Sequence, residues 1–338
     1  MRTIAQILEA ARKLVEVTRE ELQEARRRRG LVRDALQREF PGCRVYFNGS
    51  VAHGDAINPL ADFDIGVVIP DPDDDYGPGR RSASGLKERA REAIRSALCD
   101  EFPDLRIEIE GRKRSVLIRF SRAIAANASD FTGDLICAVD HPEKGLYIPR
   151  FDSWDRSDPE THTRLVLDAI ERTATVYAKT IRLLKHWNSH HGAAFCSWHL
   201  KVLAFEAITQ PVPLIEALRL FFTTSRSALL DGPTVDPAGV GPEIKTNTSV
   251  SEAISKLETG LGHVNRAIEA EEAGRPLRAQ AELAALLPEI VDAPAASELA
   301  DEDRRFEIDK LKKGSLAGVG AGSSVAIPRS RAWGGRRN

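Results

Sequence analysis

The sequence predicts an α+β protein, with a mixed sheet over residues 44–140 and a mainly helical second half. Three observations carry this expectation. Two short apolar runs, Asp62-Phe63-Asp64-Ile65-Gly66-Val67-Val68-Ile69 and Asp134-Leu135-Ile136-Cys137-Ala138-Val139, each open on aspartate and have the length of buried strands. Strand patterns also recur at residues 105–109 and 115–120. Beyond Ser157-Asp158-Pro159-Glu160 the pattern turns helical, and that tetrapeptide has the proline and acids of a helix start.

Taken in order, the first 40 residues read as one helix, with Ile4, Leu8, Ala11, Leu14 and Val15 at helical spacing and Leu22 continuing the stripe. The arginine run Arg26 to Arg29 reads as a solvated helix face or as a nucleic-acid patch. Residues 44–69 give strand, Gly-Ser turn, short helix and strand. Pro70 to Gly85 is rich in Asp, Pro and Gly and reads as an exposed loop. A helix from Leu86 to Cys99 follows. Later helices are expected over 158–188, 197–209, 211–223 and 250–270, and a Gly/Ser/Arg-rich flexible tail from Gly314. The expected divisions are residues 1–40, 41–157, 158–313 and 314–338.

Composition sets outer limits. A chain of 338 residues buries a sizeable core, and a formal net charge of −2 is not the field of a protein that grips long nucleic acid. The four cysteines, Cys43, Cys99, Cys137 and Cys196, lack C-x-x-C spacing and read as reduced, mostly buried thiols of a cytoplasmic protein. No apolar stretch is long enough to span a membrane, and the N-terminus has no secretory h-region.

The chemistry concentrates in Phe47-Asn48-Gly49-Ser50 and, after eleven further residues, Asp62-Phe63-Asp64. Strand side chains two apart share a face, so Asp62 and Asp64 project together from a strand too apolar to be exposed. Such a pair repels unless a cation lies between the carboxylates. Oxygen ligands favour Mg²⁺, which generally accompanies a phosphorylated substrate. Gly49 and Ser50 offer a bare backbone and a hydroxyl for that phosphate, with helix amides behind them. Asp134 is the candidate third carboxylate.

Gly-Ser followed by Asp-x-Asp resembles the signature of the DNA polymerase β-like nucleotidyltransferases. A second pair of elements narrows the resemblance: Thr180-Ile181-Arg182-Leu183-Leu184-Lys185-His186-Trp187-Asn188, then Ser197-Trp198-His199-Leu200. It is similar to the oligoadenylate synthetases and the cGAS/DncV-like nucleotidyltransferases (CD-NTases), over about residues 45–210. The segment from Tyr147-Ile148-Pro149-Arg150 through Trp154 to Glu160 looks like that family's connection between its two parts. The resemblance implies a polymerase β-like core, a mixed sheet with flanking helices, packed on a C-terminal helical domain. It implies two Mg²⁺ ions, with Mn²⁺ as a substitute, on Asp62, Asp64 and Asp134. Gly49, Ser50, Lys185 and Ser197 would hold donor phosphates, and Trp198, in place of the usual Tyr, would stack on a base. Taken singly, Lys185 reads as a solvated helix lysine and Trp198 as a core residue; the joint pattern behind three acids favours the binding roles.

The implied activity is formation of a cyclic di- or trinucleotide messenger from ATP, GTP or other NTPs, with pyrophosphate released, in bacterial antiphage signalling. The competing expectation is nucleotidyl transfer to a tRNA end or an aminoglycoside. A non-catalytic scaffold would have no need of three converging acids. Two departures stand out. Asp55 occupies a position where the family often has Thr or Ser, and no Cys/His cluster matches the zinc insertion of the DNA sensors, so activation by DNA is not expected. His190-His191 reads as a surface turn. The basic tail, with Arg329, Arg331, Trp333, Arg336 and Arg337, reads as solvated or as a docking peptide for an accessory or effector protein.

Overall fold

The computed structural model describes residues 2–71, 73–124 and 130–319, with side chains up to Lys312 in the last helix. Its sheet runs β1 (Arg44–Asn48), β2 (Asp62–Val68), β5 (Thr132–Asp140), β4 (Val116–Arg119) and β3 (Arg106–Glu108) in spatial order. Only β2 and β5 are parallel; β1 pairs antiparallel with β2, β4 with β5, and β3 with β4. The mixed sheet is as expected. Two strands escaped the sequence reading: β6 (Leu146–Arg150) and β7 (Ser153–Ser157) form a hairpin on the end of β5. Pro149 lies inside β6, and a proline in a run argues against reading it as a strand.

Alternation along β2 divides its two faces. Phe63, Ile65 and Val67 enter a core built with Ala25, Val32 and Leu36 of helix α2 (Arg19–Glu39) and Leu86, Ala90 and Ile94 of helix α4 (Ser84–Leu98). Asp62, Asp64 and Gly66 face the other way. Gly66 is needed there, because a Cβ would lie 1.9 Å from the Tyr46 ring packed across it.

A second core is wholly helical. It joins α5 (Pro159–Arg172), α6 (Val176–His190), α7 (Ser197–Ala207), α8 (Leu214–Asp231), α9 (Val250–Glu272) and α10 (Pro276–Leu286) around Trp187, Tyr177, Phe221 and Phe222. Each fully buried side chain of this size contributes about 1.5–3 kcal/mol. The helix expected over 158–188 is two helices. Thr173 breaks it: its hydroxyl donates to the Ala169 carbonyl at 2.7 Å and accepts from the Tyr177 amide at 3.0 Å, and Ala174 and Thr175 take positive φ.

The single helix expected over residues 1–40 is also two. α1 (Ile4–Leu14) ends at Val15, and α2 starts afresh at Thr18, whose hydroxyl caps the Glu21 amide while Glu21 caps the Thr18 amide. The break leaves Leu14 exposed at 62 %, against its expected place in the stripe. It also divides the pair between the cores. Ile4, Ile7, Leu8 and Ala11 pack into the helical core, and α2 into the sheet core.

At the far end, α11 (Ala296–Val319) continues past Lys313, where a flexible tail was expected to begin. Ser315, Leu316 and Ala317 accommodate a helix, and Gly314 costs it about 1 kcal/mol. The rest of that tail, 320–338, lies outside the described residues. Only Cys137 is buried; Cys99 and Cys196 are exposed and Cys43 is intermediate, all free, which corrects the expectation of mostly buried thiols. Cys99 and Cys196 sit at helix ends, where side chains face solvent. Among the described residues no helix is long and apolar enough to cross a membrane.

Candidate active site

The sheet and the helical core meet at a cavity of about 750 Å³. Asp62, Asp64, Gly49, Ser50, Lys185, Ser197 and Trp198 all line it. The eighth expected residue, Asp134, stands directly across from Asp64 in the β2–β5 register and receives a 2.8 Å hydrogen bond from the Ser115 hydroxyl.

The acids are set by strand geometry. Asp62 is exposed at the cavity mouth and Asp64 half-buried two residues further in. Burial, then Asp62 and Asp134, push the Asp64 carboxyl up to about 7. Loss of water and then Asp134 raise Asp62 as well. These directions show burial and carboxylate repulsion outweighing the more distant Lys185 and Lys201. Gly49 presses against this group: at φ +72° its missing Cβ would fall 1.6 Å from Asp64 Oδ2. Alanine there would both strain the backbone and displace the carboxylate.

Opposite the acids, two lysines share one carboxylate. Asp55, fully buried, pairs with Lys185 at 2.6 Å and Lys201 at 2.7 Å. Burial works to raise the Asp55 carboxyl, but the two lysines hold it below the ordinary range. Burial lowers Lys201 to about 8, with Asp55 opposing. Lys185 also donates to the Asp55 carbonyl at 2.9 Å, and Arg182, one turn earlier on α6, donates to the Gly54 carbonyl at 2.7 Å. Helix α6 thereby holds the end of α3 (Gly49–His53), the short helix that begins at the Gly-Ser turn.

The network continues through His53. Burial lowers its pKa to about 3, so the ring is neutral. Its Nδ1 accepts from Lys201 at 2.8 Å, which puts its proton on Nε2, 3.1 Å from the Thr163 hydroxyl. Thr163 donates in turn to the Phe47 carbonyl at 3.2 Å. Lysine, histidine and threonine thus tie α7 and α5 to the strand end that feeds the turn. Sequence reasoning missed Lys201, His53 and Thr163. The signal for Lys201 was its place one turn after Ser197, on the same face.

Lys185 is 8 % exposed and ion-paired, so it is not a solvated helix lysine. Trp198 is partly buried and at the cavity at once. Its ring centre lies 6.2 Å from that of Phe205 and 4.5 Å from that of His162. His162 is fixed by Asp236 at 2.6 Å, and Asp236 is held by the amides of Ala238, Val240 and Gly241. Ser197 is the first residue of α7, its hydroxyl open to the cavity. Asn188 joins α6 to that start by bonding both the carbonyl and the amide of Phe195, at 2.8 and 3.1 Å.

Oxygen-only donors without a Lys or Arg partner among the described residues fit a hard divalent cation. Among the described residues, no three His, Cys, Asp or Glu side chains stand as a closed metal-binding group.

A strand pair carrying Asp-x-Asp beside a third Asp, with a Gly-Ser turn before it and a helical body across the cleft, is the polymerase β-like nucleotidyltransferase fold. Solved structures with this fold include CD-NTases. CdnC of E. coli MS115-1, solved with HORMA-deltaN, matches at TM-score 0.67 and 16% identity, over 85% of this chain and 97% of that one. CdnG of Bradyrhizobium diazoefficiens, solved with GTP, matches at 0.61 and 14%, over 82% and 98%. The Vibrio cholerae DncV cyclic AMP-GMP synthase, solved with the linear intermediate pppA(3′,5′)pG, matches at 0.55 and 15%, over 87% of each chain. No family model and no curated protein matches the sequence.

Proposed function

We propose that the protein is a metal-dependent nucleotidyltransferase that joins NTPs into a cyclic di- or trinucleotide with release of pyrophosphate. One observation carries the reading: unpaired carboxylates and paired, buried lysines face each other across a single cavity that also holds a Gly-Ser turn and an aromatic platform. Solved proteins of the same fold, named for cyclic AMP-GMP synthesis or found with GTP, support it.

Asp62, Asp64 and Asp134 would hold two Mg²⁺ ions, which when bound neutralise charge on the entering and leaving oxygens. Gly49 and Ser50 offer an amide and a hydroxyl to the β- and γ-phosphates, and Lys185 and Ser197 complete that end. Lys201 adds a second positive charge behind Lys185. Trp198 stacks on a base. A ribose hydroxyl attacks the α-phosphorus in line, the bond to pyrophosphate breaks, and Asp134 takes the hydroxyl proton. Positioning and charge neutralisation are the protein's main contributions. An accessory protein would dock on residues 325–338, by analogy with CdnC found with HORMA-deltaN, and the setting would be antiphage signalling in the cytoplasm.

The test is incubation with all four NTPs and Mg²⁺ or Mn²⁺, phosphatase treatment, and mass analysis of resistant products. A resistant cyclic oligonucleotide supports the reading. Transfer only to an added tRNA or aminoglycoside overturns it in favour of the competing class.

A further inference from the structure

The arginine run Arg26–Arg29 has no part in the proposed reaction, and the structure divides it. Arg27 pairs with Glu24 at 2.7 Å and Glu101 at 2.5 Å. Arg28, 2 % exposed, bonds Glu24 at 2.9 Å and the Arg122 carbonyl at 2.6 Å, amid the rings of Phe102, Phe120 and Phe131. These two are structural. Arg26 and Arg29 have no ion pair among the described residues. Arg29 lies with its guanidinium carbon 3.7 Å over the Phe47 ring, and its Nε and Nη1 are buried without an acceptor. Burial, then Arg26 and Arg33, lower it to about 10. A buried donor group without an acceptor costs free energy until one is supplied.

Both arginines line a second cavity, of about 410 Å³, at the outer edge of β1 between α2, α3 and α5. Val51, Ala52 and Leu167 give it an apolar wall. Glu160 also lines it, and it shares Arg44, at 2.9 and 3.0 Å, with Asp140 at 2.8 Å, which leaves Arg26 and Arg29 as the cavity's cations. The volume suits one small organic molecule. A nucleic-acid duplex would instead need a row of phosphate contacts.

We propose that this cavity binds a small organic anion, a carboxylate or phosphate monoester on an apolar or aromatic body, with Arg29 as the charged anchor and Arg26 at the rim. The ligand would touch the back of the catalytic turn, since Val51 and Ala52 follow Ser50 on α3 and Thr163 bonds both Phe47 and His53. Control of turnover from this cavity rests on the proposed activity; binding does not.

The full-length protein is titrated calorimetrically with phenyl phosphate and, separately, with benzoate, in buffer free of other phosphate or carboxylate. One probe binds, and which one identifies the anion. Arg29→Gln weakens it by about tenfold or more, as loss of a charge-assisted pair requires. Lys185→Ala leaves it unchanged, which separates this cavity from the triphosphate end. Absence of millimolar binding by either probe overturns the proposal. So does a loss in Lys185→Ala instead of Arg29→Gln, or binding of a short duplex that depends on Arg26 and Arg29 while both probes fail. Melting without anions gives an independent check. Arg29→Met removes an unpaired buried charge while keeping contact with Phe47, so its Tm rises. A Tm below wild type overturns the proposal, because the guanidinium would then be satisfied without a ligand.

Discussion

On the sheet side of the cleft, Asp62, Asp64 and Asp134 face one another with no ion-pair partner among the described residues, whereas on the helical side Lys185 and Lys201 share the buried carboxylate of Asp55 at 2.6 and 2.7 Å. Identical functional groups are handled in opposite ways a few residues apart. The first wall is left with excess negative charge, which the proposed cations would offset. The second keeps one positive charge in excess, two lysines on one carboxylate, and is held in place by its own hydrogen bonds. Strand alternation fixes the first wall and long-range packing the second.

The contrast can be broken from either side. The largest effect is expected on the acidic wall: Asp62→Asn or Asp64→Asn lowers turnover by about 10³-fold or more, because each removes charge needed at the transition state. Activity above a tenth of wild type in either variant would refute the metal role. On the basic wall, Asp55→Ala acts on stability first. It strands two buried ammonium groups and costs about 3–5 kcal/mol, read from urea or thermal unfolding. An unfolding midpoint equal to wild type would mean that water, not Asp55, neutralises the lysines.

Smaller effects sharpen the comparison. Lys185→Ala keeps the fold, since Asp55 retains Lys201, but weakens donor NTP binding by about 1.5–3 kcal/mol. Lys185→Arg restores part of that, because a planar fork does not fit a point-charge site. Trp198→Ala lowers NTP affinity by about 1–3 kcal/mol and shifts base preference, while Trp198→Tyr is nearly silent. Unchanged base preference per folded molecule would assign Trp198 to packing alone.

The smallest effect is a pH dependence. Asp64 sits at about 7 in the folded protein, above the ordinary 3.8 of an unfolded carboxyl. The folded state therefore binds the extra proton, so this contribution is full below about 4 and is lost as pH rises through 7. Without metal, Tm falls across that window in wild type, and Asp64→Asn flattens the slope. With Mg²⁺ the slope reverses, because the cation needs the carboxylate. A wild-type slope retained in Asp64→Asn would place the titration elsewhere.

The acidic wall was legible because its information is local. Asp62 and Asp64 lie on one strand face by period alone, and the apolar residues behind them say which face is buried. The other wall was legible only in part. Lys185, Ser197 and Trp198 came from a resemblance, while Asp55 stood out as a departure with no assigned partner. Its role depends on α6 and α7 arriving from more than a hundred residues away, which no local pattern encodes. The breaks at Val15–Thr18 and Thr173–Thr175 were hidden for a different reason. In both places side-chain caps interrupt a helix while the apolar spacing continues nearly unbroken. The Pro149 strand was hidden because it sits at the sheet margin, where a missing amide is tolerated.

The split N-terminus has a mechanical consequence. α1 is a wall of the helical core and α2 a wall of the sheet core, joined only by Val15, Glu16, Val17 and Thr18. That joint is pinned where the two bodies meet: the Asn58 amide donates to the Val15 carbonyl at 3.0 Å, and Arg182 of α6 reaches Glu16 at 3.2 Å. Four residues drawn straight span at most about 14 Å. Separation beyond that would pull apolar side chains of α1 or α2 into water, so the tether adds its own limit to the contacts by which α6 and α7 already hold α3. Any ligand of the 750 Å³ cavity would enter and leave within that limited travel.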